Sequence, residues 1–239
     1  MFKKAIKNWL SRKGYSIIKA SPQDVDSVVP LSLPQHLFEN SRVCASREDV
    51  LPLLPKGGII AEVGVAYGNF SALLLEILQP EKFIAIDSYA FTTDNEPWKQ
   101  TILKESKLSH LEYYKDRFKN EIIAGKVEVH QGLSWDCLAK LPDRSLDYVY
   151  LDAGHTYDEV VKDILQLKKK IKDTAIIQFN DYTLFDAFAF VPYGVPKAIH
   201  EFITEENLEV LYLCLHRQFF CDLVVRKKTA TPFSFPGQS

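Results

Sequence analysis

The chain has 239 residues, 46% of them hydrophobic and 25% charged, a balance that suits one folded α/β domain with a small appendage. A formal net charge of -2 provides no basic face of the kind a nucleic-acid binder needs. Cys44, Cys137, Cys214 and Cys221 form no CxxC pair and no dense spacing, so they read as reduced thiols in a cytoplasmic protein.

Residues 1–54 read as a basic helix followed by an arm. Phe2, Ile6, Trp9 and Leu10 recur at helical spacing with Lys3, Lys4 and Lys7 between them. Lys7, Arg12 and Lys13 interrupt the run, which makes it neither a secretion signal nor a membrane span. Such a helix either docks on the domain surface or makes peripheral contact with an anionic membrane, and the sequence leaves both open. Ser21 to Pro34 is a linker or ordered arm, and "SREDVLPLLPKGG" holds a short helix that ends at Pro55-Lys56-Gly57-Gly58.

From 55 to 228 the pattern becomes regular. Strands are expected at 58–64, 82–87, 127–132, 145–152 and 174–181, and helices at 69–78, within 98–124, at 135–141, at 156–171 and over "VPKAIHEFI". Asn69 or Ser71 is the expected cap of the first of these helices. Two final strands, "LEVLYLCLH" and "FCDLVVRK", are separated by a short turn and read as a hairpin, and 229–239 is a tail. Strands alternating with helices give a mostly parallel sheet covered on both faces.

In such a sheet, ligands bind beyond the carboxyl ends of the strands, where strand order reverses. Those ends carry Glu62-Val63-Gly64, Asp87, Gln131-Gly132, Asp152 and Asn180-Asp181, all polar or glycine. Gly64 and Gly68 allow a tight turn and close approach to a ligand, and Asp87 follows Gly68 at roughly 20 positions, the distance at which an acid meets ribose hydroxyls. Asp152, Asn180 and Asp181 bring three oxygen donors to adjacent strand ends, a set that suits a hard divalent ion such as Mg²⁺. His155, with an ordinary pKa near neutrality, or Asp152 could accept a proton there. Caps and turns are the alternative role for each residue taken singly.

E-x-G-x-x-x-G after the first strand, an acid ending the second and seven strands with a terminal hairpin resemble class I S-adenosylmethionine-dependent methyltransferases, over roughly residues 55 to 228. The resemblance implies a Rossmann-like, doubly wound, seven-stranded and mostly parallel sheet with a C-terminal antiparallel hairpin. It places Glu62, Gly64, Tyr67 and Gly68 around the methionine part of the cofactor and Asp87 with Ser88 at the ribose. Gly132, Leu133 and Ser134 flank the adenine, and Asp152 closes the cofactor site. Many relatives have an acid where Leu133 stands, so adenine recognition here falls to backbone groups and Ser134.

"DAGHTYDEVVKDI", "FNDYT" and "GVPKAIHEF" (194–202) resemble a metal-assisted branch, the macrocin-type O-methyltransferases that act on sugar hydroxyls. The implied acceptor is a hydroxyl of a small molecule or sugar, with Asp152, Asn180 and Asp181 as metal ligands and Asp152 and His155 as catalytic residues. That pattern often carries two acids where this chain has Asn180-Asp181. Tyr182, Phe185, Phe188, Phe190 and Tyr193 form an acceptor wall or simply core, and "SYAFTTDNEPW" (88–98) has the chemistry of a lid. A homo-oligomer is open. Two competing expectations are a binding module that holds the cofactor without catalysis and a nicotinamide-dependent oxidoreductase. The missing GxGxxG spacing speaks against the second.

Overall fold

The computed structural model describes residues 28–91, 100–187, 191–228 and 233. The expected N-terminal helix, the stretch from 92 to 98 of the expected lid, Phe188, Phe190 and nearly all of the tail lie outside them. The strands are β1 (Arg42–Cys44), β2 (Ile59–Val63), β3 (Lys82–Asp87), β4 (Val127–Gln131), β5 (Leu146–Leu151), β6 (Ile171–Phe179), β7 (Phe185–Asp186), β8 (Val191–Pro192), β9 (Leu208–Cys214) and β10 (Asp222–Lys227). The helices are α1 (Arg47–Val50), α2 (Asn69–Leu78), α3 (Gln100–Ser106), α4 (His110–Arg117), α5 (Lys119–Ile123), α6 (Ser134–Ala139), α7 (Tyr157–Lys170) and α8 (Val195–Glu206).

Eight strands form one sheet in the order β1-β9-β10-β6-β5-β2-β3-β4. Strands β2 to β6 run parallel, and β10 is antiparallel to both β6 and β9. The chain builds outward from β2 in one direction through β3 and β4, then returns to lay β5 and β6 on its other side. The order therefore reverses between β2 and β5, where a ligand crevice belongs. This is the expected Rossmann-like doubly wound sheet with its terminal hairpin.

The sheet has one strand more than the seven expected. Residues 42–44, assigned from sequence to the arm, pair in parallel with β9, Cys44 opposite Cys214. The single helical stretch foreseen within 98–124 is three helices, because Ser109 forms a capping box with Glu112 and starts α4 afresh. Strand β6 begins at Ile171, directly after α7, and β7 pairs with β8 in a segment expected to be loop.

Apolar side chains cover both faces, as a doubly wound sheet requires. Val63, Ile86, Leu151 and Phe179 lie in the cluster shared with Val160, Ile164 and Leu167 of α7 and Phe202 of α8. Ile60, Phe83 and Tyr150 lie in the other, with Leu74 and Leu78 of α2. Helix α7 starts on a Thr156–Glu159 capping box and ends on Lys168, Lys169 and Lys170, which complements its dipole. Among the described residues no helix is long and apolar enough to cross a membrane.

Candidate functional site

The loop after β2 depends on a backbone that only glycine supplies. Gly64 has φ +91°, its N–H donates to Ile86 O at 2.8 Å, and a Cβ there would lie 1.7 Å from the Asp152 carbonyl oxygen. Glycine thus lets the ends of β2 and β5 meet. Gly68, at φ +75°, is the N-cap of α2 and has no side-chain cap, so neither Asn69 nor Ser71 caps the helix as expected. Asn69 Oδ1 instead accepts from Arg117 Nη1 at 2.6 Å, and Ser71 Oγ donates to Glu62 Oε2.

Glu62 lies beneath the loop, 1% exposed. Burial raises its pKa well above the usual carboxylate range, with the Ser71 hydrogen bond in partial opposition. Tyr114 Oη donates to Ser71 Oγ at 3.0 Å, so Glu62 ties α2 and α4 to β2. Tyr67 is buried edge-on against Phe91, His110 and Tyr113. His110 Nδ1 accepts from the Phe91 N–H at 3.4 Å, and Nε2 donates to Ala66 O at 2.7 Å.

Asp87 stands at the end of β3, where the sequence put it, and its carboxylate gathers the neighbouring loops. Oδ2 accepts from the N–H groups of Val65 at 2.9 Å and Ala66 at 3.1 Å; Oδ1 accepts from Tyr89 N–H at 2.7 Å and Ser88 Oγ at 3.4 Å. Gly132 N–H donates to Asp87 O at 3.0 Å. Leu133 is half exposed at the N-cap of α6, and Ser134 is the helix's first residue. The three groups assigned to methionine, ribose and adenine thus stand at the ends of the neighbouring strands β2, β3 and β4.

The second half lies at the ends of β5 and β6. The Ala153-Gly154-His155 turn is clamped from two sides: a Cβ on Gly154 would meet Glu159 Cβ at 2.6 Å, and one on Gly194 would meet Tyr157 N at 2.2 Å. Gly194 N–H donates to His155 O at 2.9 Å, so the start of α8 holds the turn directly. The contact joins the "DAGHTYDE" turn to the start of "GVPKAIHEF". His155 Nε2 is 2.8 Å from Asp181 Oδ2 and 3.8 Å from Asp152 Oδ1, yet it makes no aligned hydrogen bond although buried. Its ring stacks on Tyr193, centroids 4.6 Å apart. Burial pulls the imidazole pKa down, but Asp152 and Asp181 outweigh it and lift it to about 10. Burial raises the Asp181 pKa, while contact with His155 lowers it in part.

One ligand atom from each of Asp152, His155 and Asp181 lies within 4.8 Å of the others, a spacing that could hold a metal ion. Asn180, proposed from sequence as the third ligand beside the two aspartates, is 7% exposed and donates Nδ2–H to Asp222 Oδ1 at 2.9 Å. Asp222 also accepts from Gln178 Nε2 at 2.7 Å, and burial raises its pKa to about 7. Sequence reasoning missed Arg47 altogether. It comes from α1, donates Nη1–H to Tyr150 Oη at 2.6 Å, lies 3.9 Å from Asp152 Oδ2 and stacks its guanidinium over Phe70 at 4.8 Å. No motif marks it; the contact exists because β1 fastens its segment to the sheet.

Of the aromatic stretch, Tyr193 faces His155 and packs against Phe220, Tyr182 Oη pairs with His200 Nε2 at 2.5 Å, and Phe185 is 47% exposed. A cleft of about 210 Å³ lined by Lys56, Asp147 and Thr174 opens at the opposite, N-terminal end of the strands, away from these groups. The strand-end acids can hold a cation or take up a proton, while the His155 ring and the Arg47 guanidinium set positive charge beside them.

Residues 61–182, just over half of the chain, match the model of a family described as "Methyltransferase domain". No curated protein sequence matches. Among solved structures, a putative type 11 methyltransferase from Sulfolobus solfataricus is 19% identical over 75% of this chain and 88% of that one, with a TM-score of 0.48. A SAM-dependent methyltransferase from Aquifex aeolicus is 16% identical over 87% and 98%, with a TM-score of 0.49. The B. subtilis M1A22 tRNA methyltransferase TrmK is 12% identical over 77% and 66%, with a TM-score of 0.52. At these identities the likeness concerns the fold.

Proposed function

Because the chain belongs to the methyltransferase-domain family, we propose that it moves a methyl group from S-adenosylmethionine to a hydroxyl oxygen of a small molecule or sugar, assisted by a divalent metal held by Asp152, Asn180 and Asp181. The observation that carries the reading is the meeting of Asp152, Asp181 and a buried, unaligned His155 Nε2 at neighbouring strand ends. Two carboxylates and an amide oxygen suit Mg²⁺ or Mn²⁺, so the residues present fit such an ion. When bound, it would lower the pKa of an adjacent hydroxyl and hold that oxygen in place.

The protein's own groups supply the rest. The Gly64–Gly68 loop and Asp87 bind the methionine and ribose parts of the donor, and Gly132 to Ser134 border its adenine. Tyr193 offers an apolar face to the acceptor and keeps the His155 ring in plane. The acceptor hydroxyl gives its proton to the Asp152 carboxylate, beside the charged His155 ring, as its oxygen forms a bond to the methyl carbon. The carbon–sulfur bond breaks, and S-adenosylhomocysteine leaves. Transfer of this kind needs alignment and proximity more than covalent work by the protein.

Calorimetric titration with S-adenosylhomocysteine, with and without Mg²⁺, tests the donor. Absence of binding under both conditions would overturn the assignment. Binding without turnover on any panel of hydroxylated acceptors would leave a binding module. Arg47 and His155 already set cationic groups against Asp152 and Asp181, which favours a second reading in which the same residues work without a metal. Unchanged turnover after exhaustive chelation selects that reading, and lost turnover restored by Mg²⁺ or Mn²⁺ rejects it.

A further inference from the structure

Asn180 occupies the middle of a row of three polar residues. Parallel pairing sets Tyr150 opposite Gln178 and Leu151 opposite Phe179, so the next residues, Asp152 and Asn180, continue the row past the strand ends. Asn180 N–H donates to Leu151 O at 3.0 Å and keeps the two strands together there. On the other side, antiparallel pairing of Leu223 with Phe179 puts Asp222 next to Asn180. Across β5, β6 and β10 the order is therefore Asp152, Asn180, Asp222.

Asp222 is 1% exposed, and among the described residues no cationic side chain forms a salt bridge with it, although the Arg47 charge acts on it from further off. It accepts two amide N–H groups instead, from Gln178 Nε2 at 2.7 Å and Asn180 Nδ2 at 2.9 Å. Gln178 is itself held, since its Oε1 accepts from Tyr148 Oη at 2.7 Å. With both of its oxygens accepting an amide N–H, Asp222 fixes which end of the Asn180 amide faces it. A planar amide with its nitrogen toward Asp222 turns its oxygen to the other side of the row, where Asp152 lies.

We propose that Asp222 is a positioning residue that locks the Asn180 amide with Oδ1 turned toward Asp152, so that a neutral residue presents a fixed oxygen to the acceptor site. Its purpose rests on the metal-assisted reading, but its geometry does not. The Asn–Asp pair is a matched acceptor and donor, and exchanging the two residues should preserve the match. Asn180→Asp alone sets carboxylate against carboxylate with no donor between them. Asp222→Asn alone frees the Asn180 amide to rotate.

The test uses the full chain, ¹⁵N-labelled, with variants N180D, D222N and N180D/D222N. The side-chain amide signals absent from N180D belong to Asn180. In the unaltered protein they should exchange slowly with solvent, and D222N should shift them and speed their exchange. Mn²⁺ affinity should fall about 10-fold or more in D222N, as it does when an outer partner of a ligand is removed, while S-adenosylhomocysteine affinity holds. N180D should lower the unfolding midpoint, and N180D/D222N should regain it. Asn180 signals unmoved by D222N, or N180D as stable as the double variant, would overturn the proposal. If the unaltered protein binds no Mn²⁺ while the amide and stability results stand, the positioning role holds and the metal reading fails.

Discussion

Gly64→Ala tests the junction between the two halves of the site. The added Cβ would stand 1.7 Å from the Asp152 carbonyl oxygen, far inside contact, and both atoms belong to backbone at a strand end. Gly125 supplies the control, because its φ of +71° is also left-handed but a Cβ there would have nothing within 4 Å. Holding an L-residue in that region costs about 1–2 kcal/mol at either position. Overpacking adds about 1–3 kcal/mol at Gly64 alone. The expected losses are therefore about 1–2 kcal/mol for Gly125→Ala and about 2–5 kcal/mol for Gly64→Ala. Against a total stability of about 5–15 kcal/mol, the second is severe but measurable. Urea unfolding of both variants separates the steric part from the conformational part, since the latter is common to them. Thermal midpoints should fall by about 4–20 °C for Gly64→Ala, at about 2–4 °C per kcal/mol for a chain of this size. Because the strain falls on the Asp152 backbone, S-adenosylhomocysteine affinity should fall in Gly64→Ala and hold in Gly125→Ala. Equal losses at the two positions would refute the argument that glycine is needed for the approach of β5.

Three further outcomes follow from named contacts. Arg47→Met leaves the buried Tyr150 hydroxyl without its partner, and should lower stability by about 1–3 kcal/mol in urea denaturation; a loss under about 0.5 kcal/mol would show that the contact is incidental. Asp87→Ala removes the acceptor for the Val65, Ala66 and Tyr89 N–H groups, so S-adenosylhomocysteine affinity should drop steeply, and a variant of full affinity has no use for that carboxylate. Asp163 is 1% exposed, and burial raises its pKa to about 7, with the nearby Ser134 hydroxyl in partial opposition. Between about pH 4 and about pH 7 the folded state holds a proton that the unfolded state has released, so stability should fall as pH rises through that window. Asp163→Asn should flatten the slope, and an unchanged pH profile would assign it to other groups.

The parts of this site that could be read from the sequence are those built by alternation and by strand ends. Asp87, Asp152 and Asp181 each follow an apolar run, and burial of that run places the acid at the rim whatever its neighbours are. The Ser109–Glu112 capping box is equally present in the letters, and it divides the 98–124 stretch. Arg47 is different in kind. Its segment enters the sheet through Arg42-Val43-Cys44, three residues with Val43 two-thirds exposed, too short and too mixed to show a strand period. The pairing with β9 supplies the register, and β9 is more than 160 residues further along the chain.

Asn180 was legible as a residue at a strand end, but not as an oriented group. Its amide direction is decided by Asp222, whose place beside it comes from the antiparallel entry of β10 against β6. A sequence lists side chains, whereas a site depends on which atom each one turns inward, and here that choice is made by a strand that closes the sheet last. The same logic applies to His155. Its type announced proton chemistry, but the contact with Asp181 and the grip of Gly194 on its carbonyl were needed to show where Nε2 points. Substitutions in β10 and at the start of α8 should therefore disturb the chemistry as surely as those among the acids themselves.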